Sequence, residues 1–95
     1  MKESVVKPGD VVSPKNGRFA NEVFIVLRVD DDYVYIANGK KRKSDTPKKK
    51  KIKHCILGMG HSEHIARKLE QGLKVTNNEL RITVNKYEGG ANAER

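Results

Sequence analysis

The chain is poor in the residues that build secreted and membrane proteins. It has one cysteine, Cys55, no tryptophan and five aromatic side chains among 95 residues. A single cysteine cannot form a disulfide within the chain, and no apolar run approaches the roughly 18 residues that a membrane span needs. The first residues also lack the apolar core of a signal peptide. We therefore expect one small, soluble, cytoplasmic domain with no contact to a membrane.

Positive charge is the property that the sequence has in excess. The formal net charge is +8, from 20 Lys and Arg against 12 Asp and Glu. Residues 40–54 contain nine of the basic side chains and one acid, Asp45, so this basic window accounts for the whole net charge. A block of like charges repels itself, and its usual partner is an anionic polymer that releases counterions when lysines replace them. A solvated surface loop is the alternative.

Apolar and β-branched runs predict about five short strands within the first 57 residues. The clearest are residues 10–13, 23–29, 33–37 and 51–57, and the basic window continues the meander between the last two. Asp30-Asp31-Asp32 predicts a hairpin turn, and Asn38-Gly39 predicts a two-residue type I′ turn. Strands this short, joined by tight turns, fit a small antiparallel barrel.

After Gly60 the apolar period changes from that of a strand to that of a helix. Ser62 predicts the start of a helix over residues 62–72, and Thr76 with Glu79 has the spacing of a capping box for a helix over 77–87. The sequence therefore divides into three parts. They are a β-barrel over residues 1–57, a helical extension over 58–88 and a disordered tail over 89–95.

The stretch from Gly9 to His54 resembles the KOW-motif RNA-binding proteins, specifically the bacterial relatives of the fourteen-e type of large-subunit ribosomal protein. The resemblance rests on the order GDVVSPKNGR, VFIVLRV, YVYIANGKKRK and PKKKKIKH. It implies an SH3-like β-barrel in a mostly β protein and binding to ribosomal or other structured RNA. Gly17 and Arg18 match the motif, whereas Ala20 and Asn21 stand where it has Lys and Gly. Asparagine tolerates a positive φ better than most residues.

Two segments are the candidate RNA-binding site. A turn glycine lets backbone amides approach a sugar-phosphate strand, and an adjacent arginine can hold two phosphate oxygens. The candidate residues are Lys15, Asn16, Gly17, Arg18, Lys40, Lys41, Arg42, Lys43, Lys48, Lys49, Lys50, Lys51 and Lys53. The expected function is non-catalytic binding to RNA phosphates, with no cofactor, in a ribosome-associated protein or assembly factor.

Other constellations favour structural roles. Cys55 with His54, His61 and His64 suggests zinc, but the paired spacing of structural zinc sites is missing, so no metal is expected. Residues 30–32 are a solvated turn, because they lack the Gly and Glu of a calcium loop. No paired carboxylates, Ser–His arrangement or phosphate-binding glycine loop points to an enzyme.

Two questions stay open at the level of sequence. Tyr33 and Tyr35 share one face of a strand, where we expect them to be core, although exposed they would stack bases. The function has two alternatives, an SH3-like protein-interaction module and a binder of DNA. In the first, the stripe of Leu80, Val84 and Tyr87 would dock a protein partner, which for a ribosomal factor includes ribosomal proteins.

Overall fold

A five-stranded antiparallel sheet forms the first two thirds of the fold, and two helices follow it. The structure is a computed structural model that describes residues 6–93, and the side chains of residues 6–88. The elements are β1 (Asp10–Pro14), β2 (Phe24–Asp30), β3 (Tyr33–Ala37), β4 (Lys48–Lys51), a 3₁₀ turn (Ile52–His54), β5 (Cys55–His61), α1 (Glu63–Glu70) and α2 (Asn77–Ala93). The strand order is β4-β3-β2-β1-β5. The mostly β prediction is confirmed. Within the described residues, β4 and β5 are the two edges and do not pair, so the sheet is open.

The two faces of the sheet bury separate cores. Val11 and Ile25 point to the helices, where they pack in one cluster with Ile65 and Leu80. Their neighbours Val12 and Phe24 point the opposite way, as the two-residue period of a strand requires. The second cluster is completed by Val6, Val26, Val34, Ile36 and Cys55, with Phe19, Val29, Ile52 and Leu57 packed against it.

The sheet is bent around the second core. The pairing register shifts in β1 between Val11 and Ser13, and in the β2–β3 pair between Val26 and Arg28. Bulges of this kind bend a strand and increase its twist. Val12 and Val26 are fully buried on this face, which is covered by Val29 and Leu57 of the bent sheet and by Phe19 and Ile52 of the loop and the 3₁₀ turn.

Both predicted helix starts are confirmed. The Ser62 hydroxyl accepts a hydrogen bond from the Ile65 amide at 3.2 Å. The Thr76 amide donates to the Glu79 carboxylate at 2.9 Å, and the Glu79 amide donates to the Thr76 hydroxyl at 3.1 Å. These reciprocal bonds are a capping box, which satisfies amides that have no partner within the helix.

Three predicted boundaries differ from the structure. The connection after β3 is a ten-residue loop, residues 38–47, and not a type I′ turn. A type I′ turn needs a positive φ at both central residues, and of the described non-glycine residues only Asn21 and Asp31 have one. The predicted strand 51–57 is instead the 3₁₀ turn followed by β5, which continues to His61 and so crosses the boundary placed after residue 57.

Helix α2 is longer than its prediction. It continues to Ala93, whereas the sequence predicts a helix over 77–87 and a disordered tail over 89–95. The last two residues of that tail lie outside the described residues.

Candidate nucleic-acid interface

Strand β4 consists of four lysines at one edge of the sheet. It pairs with β3 through partners that include Tyr33 with Lys51 and Tyr35 with Lys49, so the predicted continuation of the meander is confirmed. Lys49 and Lys51 are exposed on the tyrosine face, while the other two β4 lysines are half-buried on the opposite face. Positive charge therefore extends over both faces of this edge. We call Lys48–Lys51, together with Lys53 of the 3₁₀ turn, the lysine edge.

The loop after β1 lies beside this edge. The Lys15 amide donates to the His54 carbonyl at 2.9 Å, which fixes the loop to the 3₁₀ turn. At Gly17 the position of an added Cβ lies 3.7 Å from the Lys50 Nζ. The two segments that the sequence nominates separately are thus neighbours in space at this point.

The same loop contains a residue with a positive φ and an aromatic anchor. Asn21 has a φ of 66°, a conformation that asparagine tolerates better than most residues. Its amide donates to the Pro14 carbonyl at 3.0 Å. Phe19 packs edge-on against Phe24 with ring centroids 5.5 Å apart, so the loop is anchored to the second core.

The loop 38–47 is held by its own buried asparagine. Asn38 is 3% exposed, and its Oδ1 accepts hydrogen bonds from the amides of Lys40 at 3.0 Å and Arg42 at 3.1 Å. The amides of Asn38 and Gly39 in turn donate to the Arg42 carbonyl. Because a buried amide side chain is costly when its bonds are lost, this network favours a single loop conformation.

Helix α2 holds the same loop from outside. Asn77 Oδ1 accepts from the Ser44 amide at 2.7 Å, and the Arg81 guanidinium donates to the Gly39 carbonyl at 2.8 Å. The basic window is therefore a docked part of the fold.

The basic residues of the loop and of the lysine edge differ in their partners. Lys40 forms an ion pair with Glu88 at 3.2 Å, and Lys41 forms one with Glu22 at 3.4 Å. Within the described residues, no ion pair involves Lys43 or the lysine edge. Within the described part of the basic window, Arg42, Lys43 and the lysine edge thus carry positive charge without a carboxylate partner.

The prediction that Tyr33 and Tyr35 belong to the core is wrong. Both rings are half-buried, on the face of the sheet that carries Ala37 and the helices. Lys49 Nζ lies 4.5 Å from the centroid of the Tyr33 ring, and the Arg28 guanidinium carbon lies 4.9 Å from that of Tyr35. Sequence reasoning missed Arg28. The alternation of Tyr33 and Tyr35 with Val34 could have shown that the tyrosines face away from the second core.

Cys55 and the histidines have structural partners. Cys55 is buried, and burial raises the pKa of its thiol, although the nearby charges of Lys50 and Lys15 oppose the rise. The His61 ring nitrogen lies 2.7 Å from an Asp10 carboxylate oxygen. In the part of the chain that the structure describes, no group of three or more potential ligands could hold a metal ion.

Comparison with known proteins does not assign the chain to a family. Among the described residues, no helix has the length and apolar character needed to cross a bilayer. The chain has no significant match among family models or curated protein sequences.

Proposed function

We propose that this protein binds structured RNA through the backbone phosphates and catalyses no reaction. The observation that carries the proposal is the lysine edge, an all-lysine strand at the rim of the sheet with the Lys15–Arg18 loop beside it. Phosphates are its natural partners, because each neutralised phosphate releases condensed counterions. Lysines act as point charges, and Arg18 adds a planar group able to contact two phosphate oxygens.

Protection of the sheet edge accounts for only part of this charge. Lysines on an edge strand prevent pairing with another chain, and β4 is an edge. The basic side chains also continue beyond the strand, to Lys43, Lys53 and the Lys15–Arg18 loop, where there is no edge to protect. Because the loop 38–47 is already docked, less of its conformational entropy is lost when RNA binds.

The resemblance to KOW-motif proteins extends the proposal to ribosomal RNA. A ribosome-associated component or an assembly factor in the cytoplasm is the corresponding role. Recognition would follow the shape and phosphate spacing of an RNA helix, because A-form RNA hides its base edges in a deep groove. The same resemblance implies an SH3-like barrel, and the bulges that bend the sheet support that finer description.

The protein-interaction alternative loses the surface on which it was based. Leu80 and Val84 are 0% exposed, and Tyr87 packs against the same cluster. The stripe therefore stabilises the fold by contact with the sheet. Contacts of α2 with ribosomal proteins would have to use its outer side, where Ile82 is 54% exposed.

The test is the salt dependence of binding to a fully paired RNA hairpin, measured by fluorescence anisotropy. Engagement of about five to seven phosphates predicts a slope of log K against log salt of roughly −4 to −6. The edge variant, with Lys48, Lys50 and Lys51 changed to Gln, should reduce the steepness of that slope by about 3. Its control changes Lys7, Arg67 and Lys86 to Gln, which removes the same charge elsewhere and should preserve the slope.

Three results would reject the proposal. The first is an affinity that does not depend on salt, and the second is an edge variant that binds the RNA hairpin as tightly as the wild type does. The third is tighter binding to a DNA hairpin of the same sequence, which would favour the DNA alternative. Crosslinking in cells, followed by sequencing of the attached nucleic acid, then shows whether the RNA is ribosomal.

A further inference from the structure

A pocket of about 420 Å³ opens beside Tyr35, between the sheet and the connection from α1 to α2. Leu27 and Val75 contribute apolar surface, and the basic side chains of Arg28 and Lys74 lie at its lining. Pockets that bury small ligands begin at about 300 Å³. The space is therefore large enough for one planar group of the size of a nucleobase.

The walls of this pocket come from three separate parts of the chain. Strands β2 and β3 supply Arg28 and Tyr35, the loop 38–47 supplies Asp45 and Pro47, and the connection between α1 and α2 supplies Lys74. Two hydrogen bonds hold the wall that the loop 38–47 forms. The Ser44 amide donates to Asn77 Oδ1, and the Arg42 guanidinium donates to the Thr46 carbonyl at 3.2 Å. The pocket is thus already formed in the free protein.

Asp45 is the single acid in the basic window, and it lines this pocket. A carboxylate weakens attraction to phosphates, so its place among lysines needs a separate reason. A carboxylate accepts hydrogen bonds from the amino group of a base, as aspartate and glutamate do with cytosine. The Arg28 guanidinium over the Tyr35 ring supplies stacking surfaces of the kind that bind unpaired bases of RNA.

We propose that this pocket binds one unpaired nucleobase of the bound RNA, stacked on Tyr35 and Arg28, with its amino group facing Asp45. The inference rests on the RNA binding proposed above. In this inference the protein contacts one base in addition to the phosphates. The lysine edge holds the neighbouring backbone, because Tyr35 pairs with Lys49 across β3 and β4.

The experiment uses the wild-type protein and RNA hairpins that share one stem. One hairpin is fully paired, and the others carry a single bulged cytosine, a bulged uracil or an abasic bulge. Base stacking predicts that the cytosine bulge binds at least about fivefold more tightly than the abasic bulge. Cytosine should also bind more tightly than uracil, which has a carbonyl in place of the amino group.

Variants assign the effect to the pocket. Tyr35→Leu should abolish the preference for the cytosine bulge and leave the affinity for the paired hairpin, whereas Tyr35→Phe should retain both. Tyr33→Leu is the matched control, because Tyr33 has the same face and strand but does not line the pocket. Asp45→Asn should remove the preference for cytosine over uracil.

The outcomes separate this inference from the proposed function. Equal affinity for cytosine, uracil and abasic bulges, with a steep salt dependence for the paired hairpin, overturns the base pocket and leaves phosphate binding intact. Loss of cytosine preference in Tyr33→Leu but not in Tyr35→Leu also overturns it. Absence of binding to every hairpin at low salt overturns both. Because the comparison of hairpins needs no variant, poor folding of Tyr35→Leu would not prevent a decision.

Discussion

Glu79 connects three parts of the helical layer through one carboxylate. It accepts from the Thr76 amide at the start of α2, and from the Lys68 ammonium of α1 at 2.9 Å. Nε2 of His64, also in α1, lies 2.8 Å from Oε2 of the same carboxylate. The hydrogen bond from the Thr76 amide, followed by those from Lys68 and His64, lowers the pKa of Glu79 from 4.5 to about 2.

The lowered pKa predicts a pH dependence of stability. The folded state favours the ionised carboxylate, so its stabilisation is fully present above pH 4.5 and is lost as the pH falls toward about 2. Glu79→Gln, which keeps an oxygen acceptor but removes the charge, should lower the free energy of unfolding by about 1 kcal/mol at neutral pH. In urea denaturation, this difference from the wild type should shrink toward zero across the same pH range. Glu70→Gln, at an exposed glutamate of α1, is the control, and a difference independent of pH at Glu79 would contradict the assignment.

At the scale of elements, the loop 38–47 depends on a close approach to α2. Gly39 has a φ of +77°, and an added Cβ would collide with the Asn77 carbonyl oxygen. Gly72, which follows α1, has a similar φ of +74° but has nothing within 4 Å of the Cβ position. Substitution of the two glycines by alanine therefore separates the cost of backbone strain from the cost of displacing the loop 38–47 from α2.

Gly39→Ala should lower the free energy of unfolding by about 2 to 3 kcal/mol, because the strain of a positive φ adds to the displacement of the loop. Gly72→Ala should lower it by about 1 kcal/mol, from strain alone. Hydrogen exchange should also become faster at the Ser44 amide in the first variant only, since the loop would move away from Asn77. Equal losses in the two variants would mean that the loop does not rest on α2.

The elements differ in how far the sequence predicts them. The hairpin of β2 and β3 and the caps at Ser62 and Thr76 are local patterns, so adjacent residues are enough to define them. The loop 38–47 is not local. Its conformation depends on Asn77 and Arg81, which lie more than thirty residues further along the chain. Sequence spacing alone therefore favoured the shorter type I′ turn.

At the scale of the whole molecule, the candidate site is made by a contact between distant segments. The basic window was evident from composition, and the Lys15–Arg18 loop was nominated by its turn glycine and by the resemblance to the KOW motif. Their proximity depends on the pairing of β1 with β5, which places Pro14 beside Cys55. No local sequence pattern predicts the pairing of β1 with β5. The pocket beside Tyr35 was missed for the same reason, because its walls come from the sheet, the loop 38–47 and the helical connection.

The concentration of charge predicts opposite effects of salt on folding and on binding. The β4 lysines repel one another at low ionic strength, and salt screens this repulsion. The Tm of the wild-type protein should therefore rise with salt while its affinity for the paired RNA hairpin falls. The edge variant, with Lys48, Lys50 and Lys51 changed to Gln, should gain about 1 kcal/mol of stability, which raises Tm by about 4 to 8 °C at low salt. It should also lose most of the dependence of Tm on salt.

The variant with Lys7, Arg67 and Lys86 changed to Gln separates this local effect from net charge, because it has the same net charge as the edge variant. Differential scanning calorimetry at low and high salt should show little change in its Tm relative to the wild type. If both variants gained equal stability, the repulsion would arise from the net charge of the molecule and not from the β4 lysines in particular. If the edge variant lost stability, the lysines would contribute to folding through contacts such as that of Lys51 Nζ with the Tyr33 ring at 5.9 Å. A gain confined to the edge variant would mean that the lysines are retained at a cost in stability, as expected for residues kept for binding.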